Sequence, residues 1–134
     1  MAFPVGRYVA LPPATYWAAV PAAVRAKLHF FNVGVEHEPH PNGFLAVLRS
    51  TARPHDFVAL KVDIDNSPIE LSIVERIADD PSLAILVDEL FFEYHFKFDN
   101  LNFGWGKKIP HSVDDALKLM TKLRRRGIRA HFWV

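Results

Sequence analysis

The chain has no cysteine, which excludes disulfides, thiolate nucleophiles and cysteine-ligated zinc together and leaves the redox compartment open. It also has no apolar run of about 18 residues, the length that crosses a bilayer, and Pro12, Pro13 and Pro21 interrupt its apolar start. Neither a secretory signal nor a membrane span is expected. No acidic residue precedes Glu36, as in organellar transit peptides, but Arg7, Arg25 and Lys27 are the only bases there, a poor example of the class. Glycine is scarce at 6 residues, and neither the P-loop spacing nor the GxGxxG fingerprint occurs. No serine stands in a GxSxG elbow, so a hydrolase triad has no support. Charge of either sign is not in excess: 16 bases against 15 acids give a net +1. That balance gives no broad electrostatic case for a nucleic acid or membrane partner.

What is present is a chain of 134 residues, half of them apolar and 13% aromatic, suited to one domain with a single core. Residues 1–14 read as an irregular arm broken by Pro4, Gly6, Pro12 and Pro13. A helix is expected over 15–27, with Pro21 either kinking it or opening a second helical turn. Residues 28–35 read as a strand and 36–43 as a loop of breakers. A short helix over 44–50, capped by Asn42, would bury Phe44, Val47 and Leu48. This divides the chain into an arm and helix at 1–27 and an α/β domain at 28–134.

The strongest signal is the run FVALKVDID at 57–65, a strand that turns acidic at its end and leads into a helix. Ser67 and Glu70 have the spacing of a capping box, with Pro68 at the first helical position. Ile69, Ile73, Val74 and Ile77 make one apolar stripe, and Asp79-Asp80-Pro81 stops it. A second strand is expected over 88–96, then a long loop over 97–111. Ser112 with Asp115 caps a helix that turns Val113, Ala116, Leu117, Met120 and Leu123 inward. Lys122 to Arg126 suit its carboxyl end, Gly127 supplies a left-handed cap, and 128–134 form a last strand. Strand, helix, strand, helix, strand predicts an α/β domain: a partial, Rossmann-like sheet, largely parallel, with flanking helices and right-handed crossovers.

The alternation of strands puts Lys61, Asp63 and Asp65 on one side of the first strand, and Glu93 with His95 on one side of the next. If these strands are parallel neighbours, all five gather at the carboxyl edge, where open α/β sheets hold their ligands. Asp63, Asp65 and His95 then offer oxygen and imidazole ligands for Mg²⁺, Mn²⁺ or Zn²⁺. Alternatively Asp63, Asp65, Glu93 and His95 form a general acid/base set. A purely structural arrangement fits the same residues: Asp63 on turn amides, Glu93 paired with Lys61, and His95 at the rim. Trp105, within the 97–111 loop, with Lys61, is the candidate for substrate contact. The GWGKK stretch at 104–108 is either a plain aromatic loop or a lid for an anionic substrate. His37, His40 and His55 are separated by prolines, His131 stands alone, and the Arg124–Arg126 run is explained by a helix terminus.

The segment 56–65, followed by a helix and then VDELFFE at 87–93, resembles the later half of FkbM-type S-adenosylmethionine-dependent methyltransferases, closest to a methyltransferase-like branch of plants and algae. Lys61, Asp63 and Asp65 match that family's Lys-x-Asp-x-Glu/Asp strand and Glu93 its later strand-end Glu, and LRRRGIRAHFWV at 123–134 looks like the helix and strand that follow. The resemblance spans roughly residues 28–134 and implies a methyltransferase-like fold and S-adenosylmethionine as cofactor. The family's glycine-rich donor turn is missing before Leu28, and its Glu-Gly-Ala-Glu continuation is replaced by 65–70, which begins with Asp65 and Asn66. The resemblance therefore implies the carboxyl-terminal portion of that fold, truncated or reduced. A half sheet exposes an edge, so a non-catalytic interaction or dimerisation module is the alternative. Asp63-Ile64-Asp65 also has the form of a metal-binding Asp-x-Asp transferase motif.

Overall fold

The structure, a computed structural model, describes residues 15, 18–28, 35, 43–96 and 110–133. The chain forms two compact units, residues 1–33 and 34–134. In the first, Pro21 opens a turn of helix, α1 (Ala22–Arg25), its carbonyl accepting from the amides of Val24 and Arg25 at 3.0 and 2.9 Å. Proline suits this entry because its missing N–H has no helical partner to lose. The strand expected over 28–35 lies almost wholly outside the described residues, as do Asn42 and nearly all of the 97–111 loop.

The second unit runs α2 (Phe44–Thr51), β1 (Ala59–Val62), α3 (Ser67–Asp79), α4 (Pro81–Ala84), β2 (Glu89–Phe92), α5 (Val113–Arg125) and β3 (Arg129–Phe132). The three strands are parallel in the order β1-β2-β3, Val62 facing Phe92 and Leu90 facing Ala130. This is the mixed α/β architecture, with a parallel sheet and flanking helices, that the alternation of patterns predicts. Each strand is shorter than its apolar run. Phe57 lies outside the ladder and 65% exposed, and the Asp88 carboxylate takes the Val58 N–H at 2.9 Å before pairing begins.

Val62, Leu90, Phe92 and Ala130 are buried, and they join one core with Ile73, Val74 and Ile77 of α3 and Ala116, Met120 and Leu123 of α5. Sequential parallel strands joined by right-handed crossovers carry both helices on the same face. The opposite face shows Lys61, Phe91, Arg129, His131 and Trp133, of which only Phe91 is not exposed. The sheet is therefore two-faced among the described residues, because its helices lie on one side.

Several local expectations are corrected. In α2, Leu45 and Leu48 are the buried pair, since Phe44 and Val47 flank that stripe. In α5, Leu119 is buried while Val113 and Leu117 are 57% and 50% exposed; the inward stripe follows 116, 119, 120 and 123, one step around the helix. The box at Ser112 forms as expected, the hydroxyl accepting from the Asp115 N–H and the Asp115 carboxylate from the Ser112 N–H at 2.8 Å. Gly127 takes φ +92°. Its N–H reaches the Arg124 carbonyl and that of Ile128 reaches Leu123, the two bonds of a Schellman ending. The box at Ser67 does not form. Asn66 precedes α3 without a side-chain cap, and Glu70 is engaged elsewhere.

Candidate metal centre

The site grows from the way β1 ends. After Val62 the chain leaves the ladder, and Asp65 adopts φ +57°, a left-handed conformation that aspartate tolerates better than most residues. This sharp turn brings the chain into α3 and presents the Asp65 carboxylate above the strand ends. The turn is held by Glu70, which is fully buried. Its Oε1 accepts the Ile64 N–H at 2.7 Å, and this is the bond that replaces the expected capping box. Burial pushes the Glu70 carboxyl above its ordinary value even though the Ile64 amide acts the other way.

One residue beyond the ladder, the Glu93 N–H bonds the Val62 carbonyl at 3.2 Å, so Glu93 lies beside Asp63. Each carboxyl acts on the protonation of the other. Lys61 pairs with Asp63 and holds it below the ordinary carboxylate value. Burial, then the neighbouring Asp63, push Glu93 up. A proton entering the pair therefore goes to Glu93 before Asp63. The structural arrangement in which Lys61 pairs with Glu93 is thus replaced: the ammonium bridges Asp63 and the face of the Trp133 ring, 4.5 Å from its centroid. His95 brings Nε2 to 3.5 Å from Glu93 Oε2, with its side chain only 11% exposed.

Asp65, Glu93 and His95 each offer one ligand atom, and these atoms lie within 4.8 Å of one another. The three residues come from two turns that the parallel register alone brings side by side. Two carboxylate oxygens and one imidazole nitrogen make a mixed donor set compatible with a divalent first-row cation. The structure thus brings together three of the four residues proposed as catalytic. It puts Glu93, rather than Asp63, with Asp65 and His95 in the ligand group. No family model, curated protein or solved structure matches this chain. What the site does must therefore be argued from its own chemistry.

The remaining candidates fall elsewhere. Trp105, the GWGKK stretch, His37 and His40 lie outside the described residues. His55 is exposed, 3.9 Å from Asp56. His131 stacks on Phe91 at 4.9 Å and meets Glu89 at 2.9 Å, a surface role on the open face. Arg124 donates to the Ala130 carbonyl and Arg126 to that of Ala78, so both close the end of α5. Tyr94 is buried against Phe92, Phe96 and His111, which pushes its hydroxyl up to about 12. Sequence reasoning missed Glu70 and Trp133 as parts of this environment. For Glu70 the signal was present, since a carboxylate six residues past Ile64, in the turn that leaves β1, can fold back to that turn. For Trp133 there was none, because its neighbour Lys61 lies two strands away.

Proposed function

We propose that this chain is a methyltransferase-like α/β domain whose working edge is the carboxyl end of β1 and β2, where Asp65, Glu93 and His95 hold a divalent cation. The observation that carries this reading is the convergence of their ligand atoms within 4.8 Å. The strand, helix and strand from 59 to 92 have the order that the FkbM resemblance implies, and Asp63 and Glu93 stand at the positions matched by that family's acidic strand ends. A cation here would lower the pKa of a bound hydroxyl. Asp63, outside the ligand group and held ionised by Lys61, is placed to receive the proton released. Methyl donor binding belongs to the same proposal through the resemblance.

The test is isothermal titration with Mn²⁺ and Mg²⁺, with S-adenosylmethionine and S-adenosylhomocysteine in separate cells. Mn²⁺ is expected to bind more tightly than Mg²⁺, because one donor is imidazole. The Asp65→Ala/His95→Ala pair should lose at least about tenfold in Mn²⁺ affinity, losing two ligands where one outer-shell change costs about 10–100-fold, while keeping its fold. Equal binding by wild type and variant would remove these residues from the site. Donor binding with no cation binding would keep the methyltransferase reading and discard the metal.

A second reading, an interaction module, is favoured by one observation. The face of the sheet opposite α3 and α5 carries Trp133 at 41% exposure, with Arg129 over the Phe57 ring. Pairing with a second copy would cover these aromatics.

A further inference from the structure

Glu70 is the one charged residue buried to 0% exposure among those described. Its Oε1 is accounted for by the Ile64 amide, whereas its Oε2 is buried and meets no hydrogen-bond donor. A bare carboxylate oxygen in the interior loses its hydration without replacement, a cost that native structures rarely leave uncompensated. The side chain stands next to the proposed metal centre: it holds the amide of Ile64, the residue between Asp63 and Asp65, at 2.7 Å. Glu93 Oε2, one of the atoms facing that centre, is likewise buried without a hydrogen-bond partner, His95 Nε2 standing 3.5 Å away. Two separate carboxyl oxygens are therefore buried here without a hydrogen-bond partner, and one belongs to a residue outside the ligand group. Negative charge accumulates here from four carboxyls, Asp63, Asp65, Glu70 and Glu93. Among the described residues Lys61 is the ammonium that meets the set, and its ion pair is with Asp63.

We infer that Glu70 is the positioning residue of a divalent-cation site formed by Asp65, Glu93 and His95: one of its oxygens fixes the turn that presents Asp65, and the other lies in the outer ring of carboxylates that the cation neutralises. This rests on the metal reading above and extends it to a residue that a capping-box spacing would otherwise explain away. Outer carboxylates of this kind orient the ligating groups, and losing one typically costs about 10–100-fold in metal affinity. The inner ligands and the outer carboxylate enter the site from different elements, Asp65 from the β1 turn, Glu93 and His95 from beyond β2, and Glu70 from α3. A cation at their meeting point therefore ties the helix to the sheet edge.

The test uses Glu70→Gln, which keeps an oxygen to accept from Ile64 but removes the charge, titrated with Mn²⁺ beside the wild type at one pH. The expected result is at least about tenfold weaker Mn²⁺ binding with the thermal midpoint of the metal-free protein unchanged or higher. A purely structural Glu70 would move the midpoint and leave the affinity alone. Binding within twofold of the wild type overturns the inference while leaving the three-ligand site standing. A wild type that binds no Mn²⁺ overturns both, and so separates failure of the site from failure of Glu70's role in it. Should the amide variant fail to fold, Glu70→Asp serves in its place, since it keeps the charge but shortens the reach to Ile64. Unchanged Mn²⁺ affinity there overturns the positioning role, and a loss of about tenfold supports it.

Discussion

Glu93 concentrates the electrostatic cost of the candidate site in one side chain. Its carboxyl is raised above the ordinary value by burial and by Asp63, so the folded state favours its protonated form. Linkage then sets the sign. The contribution to stability is fully present below the unfolded-state value and is lost as pH rises through the raised folded value, so at pH 7 the ionised group is a net cost. Asp63 runs the other way, since its lowered value contributes stability above the ordinary carboxylate range and loses it in acid. Glu93→Gln, whose amide can donate to Asp63, should therefore raise the thermal midpoint at pH 7 in metal-free buffer, and the gain should shrink towards pH 4. Scanning calorimetry at the two pH values checks this, and a lower midpoint at pH 7 would contradict it. Such a residue, expensive to the fold, is what a binding site is expected to keep.

Among the elements, those whose ends are closed by local chemistry were the most legible. Ser112 and Asp115 could be read as the start of α5 because a capping box needs only four consecutive residues, and Gly127 as its end because a positive φ favours glycine. Gly127→Ala would place a side chain at φ +92° with nothing within 4 Å to clash with, so its cost is one of backbone conformation alone. Destabilisation of about 1–2 kcal/mol is expected from the left-handed penalty, measured by urea denaturation with an unchanged slope. A loss below about 0.3 kcal/mol would mean that the helix end relaxes into another conformation. The same local logic failed at Ser67, where the identical spacing was present. There Glu70 had a competing donor in Ile64, six residues back and on the turn leaving β1, and a strand end folded over its own helix decides that competition. The buried stripe of α5 was misplaced by one step for a similar reason. Several of its apolar side chains suit an inward face, and only the seating of the helix on β3 selects Leu119 over Leu117.

At the scale of the whole molecule, the order β1-β2-β3 gives the sheet two different surfaces. One is closed by α3 and α5, while the other sets Phe57, Phe91 and Trp133 among Lys61, Arg129 and His131. Those rings already contact one another and the cations, with Phe91 against Trp133 at 6.1 Å and Lys61 over Trp133 at 4.5 Å. If the interaction reading holds, sedimentation equilibrium should show reversible self-association that a Trp133→Ser/Phe57→Ser variant weakens. A strict monomer at high concentration would dismiss that reading and leave the metal site as the molecule's one functional proposal. The sequence by itself determined the alternation of strands and helices, the parallel α/β class and the acidic strand ends, because each depends on periodicity, caps and breakers within a dozen residues. Only the tertiary structure decided that Glu93 rather than Asp63 joins Asp65 and His95, that Lys61 faces Asp63 and Trp133, and that Glu70 turns back into the site. Those pairings join residues from separate strands and turns. Their distances follow from strand register and from the seating of a helix, which no local pattern encodes.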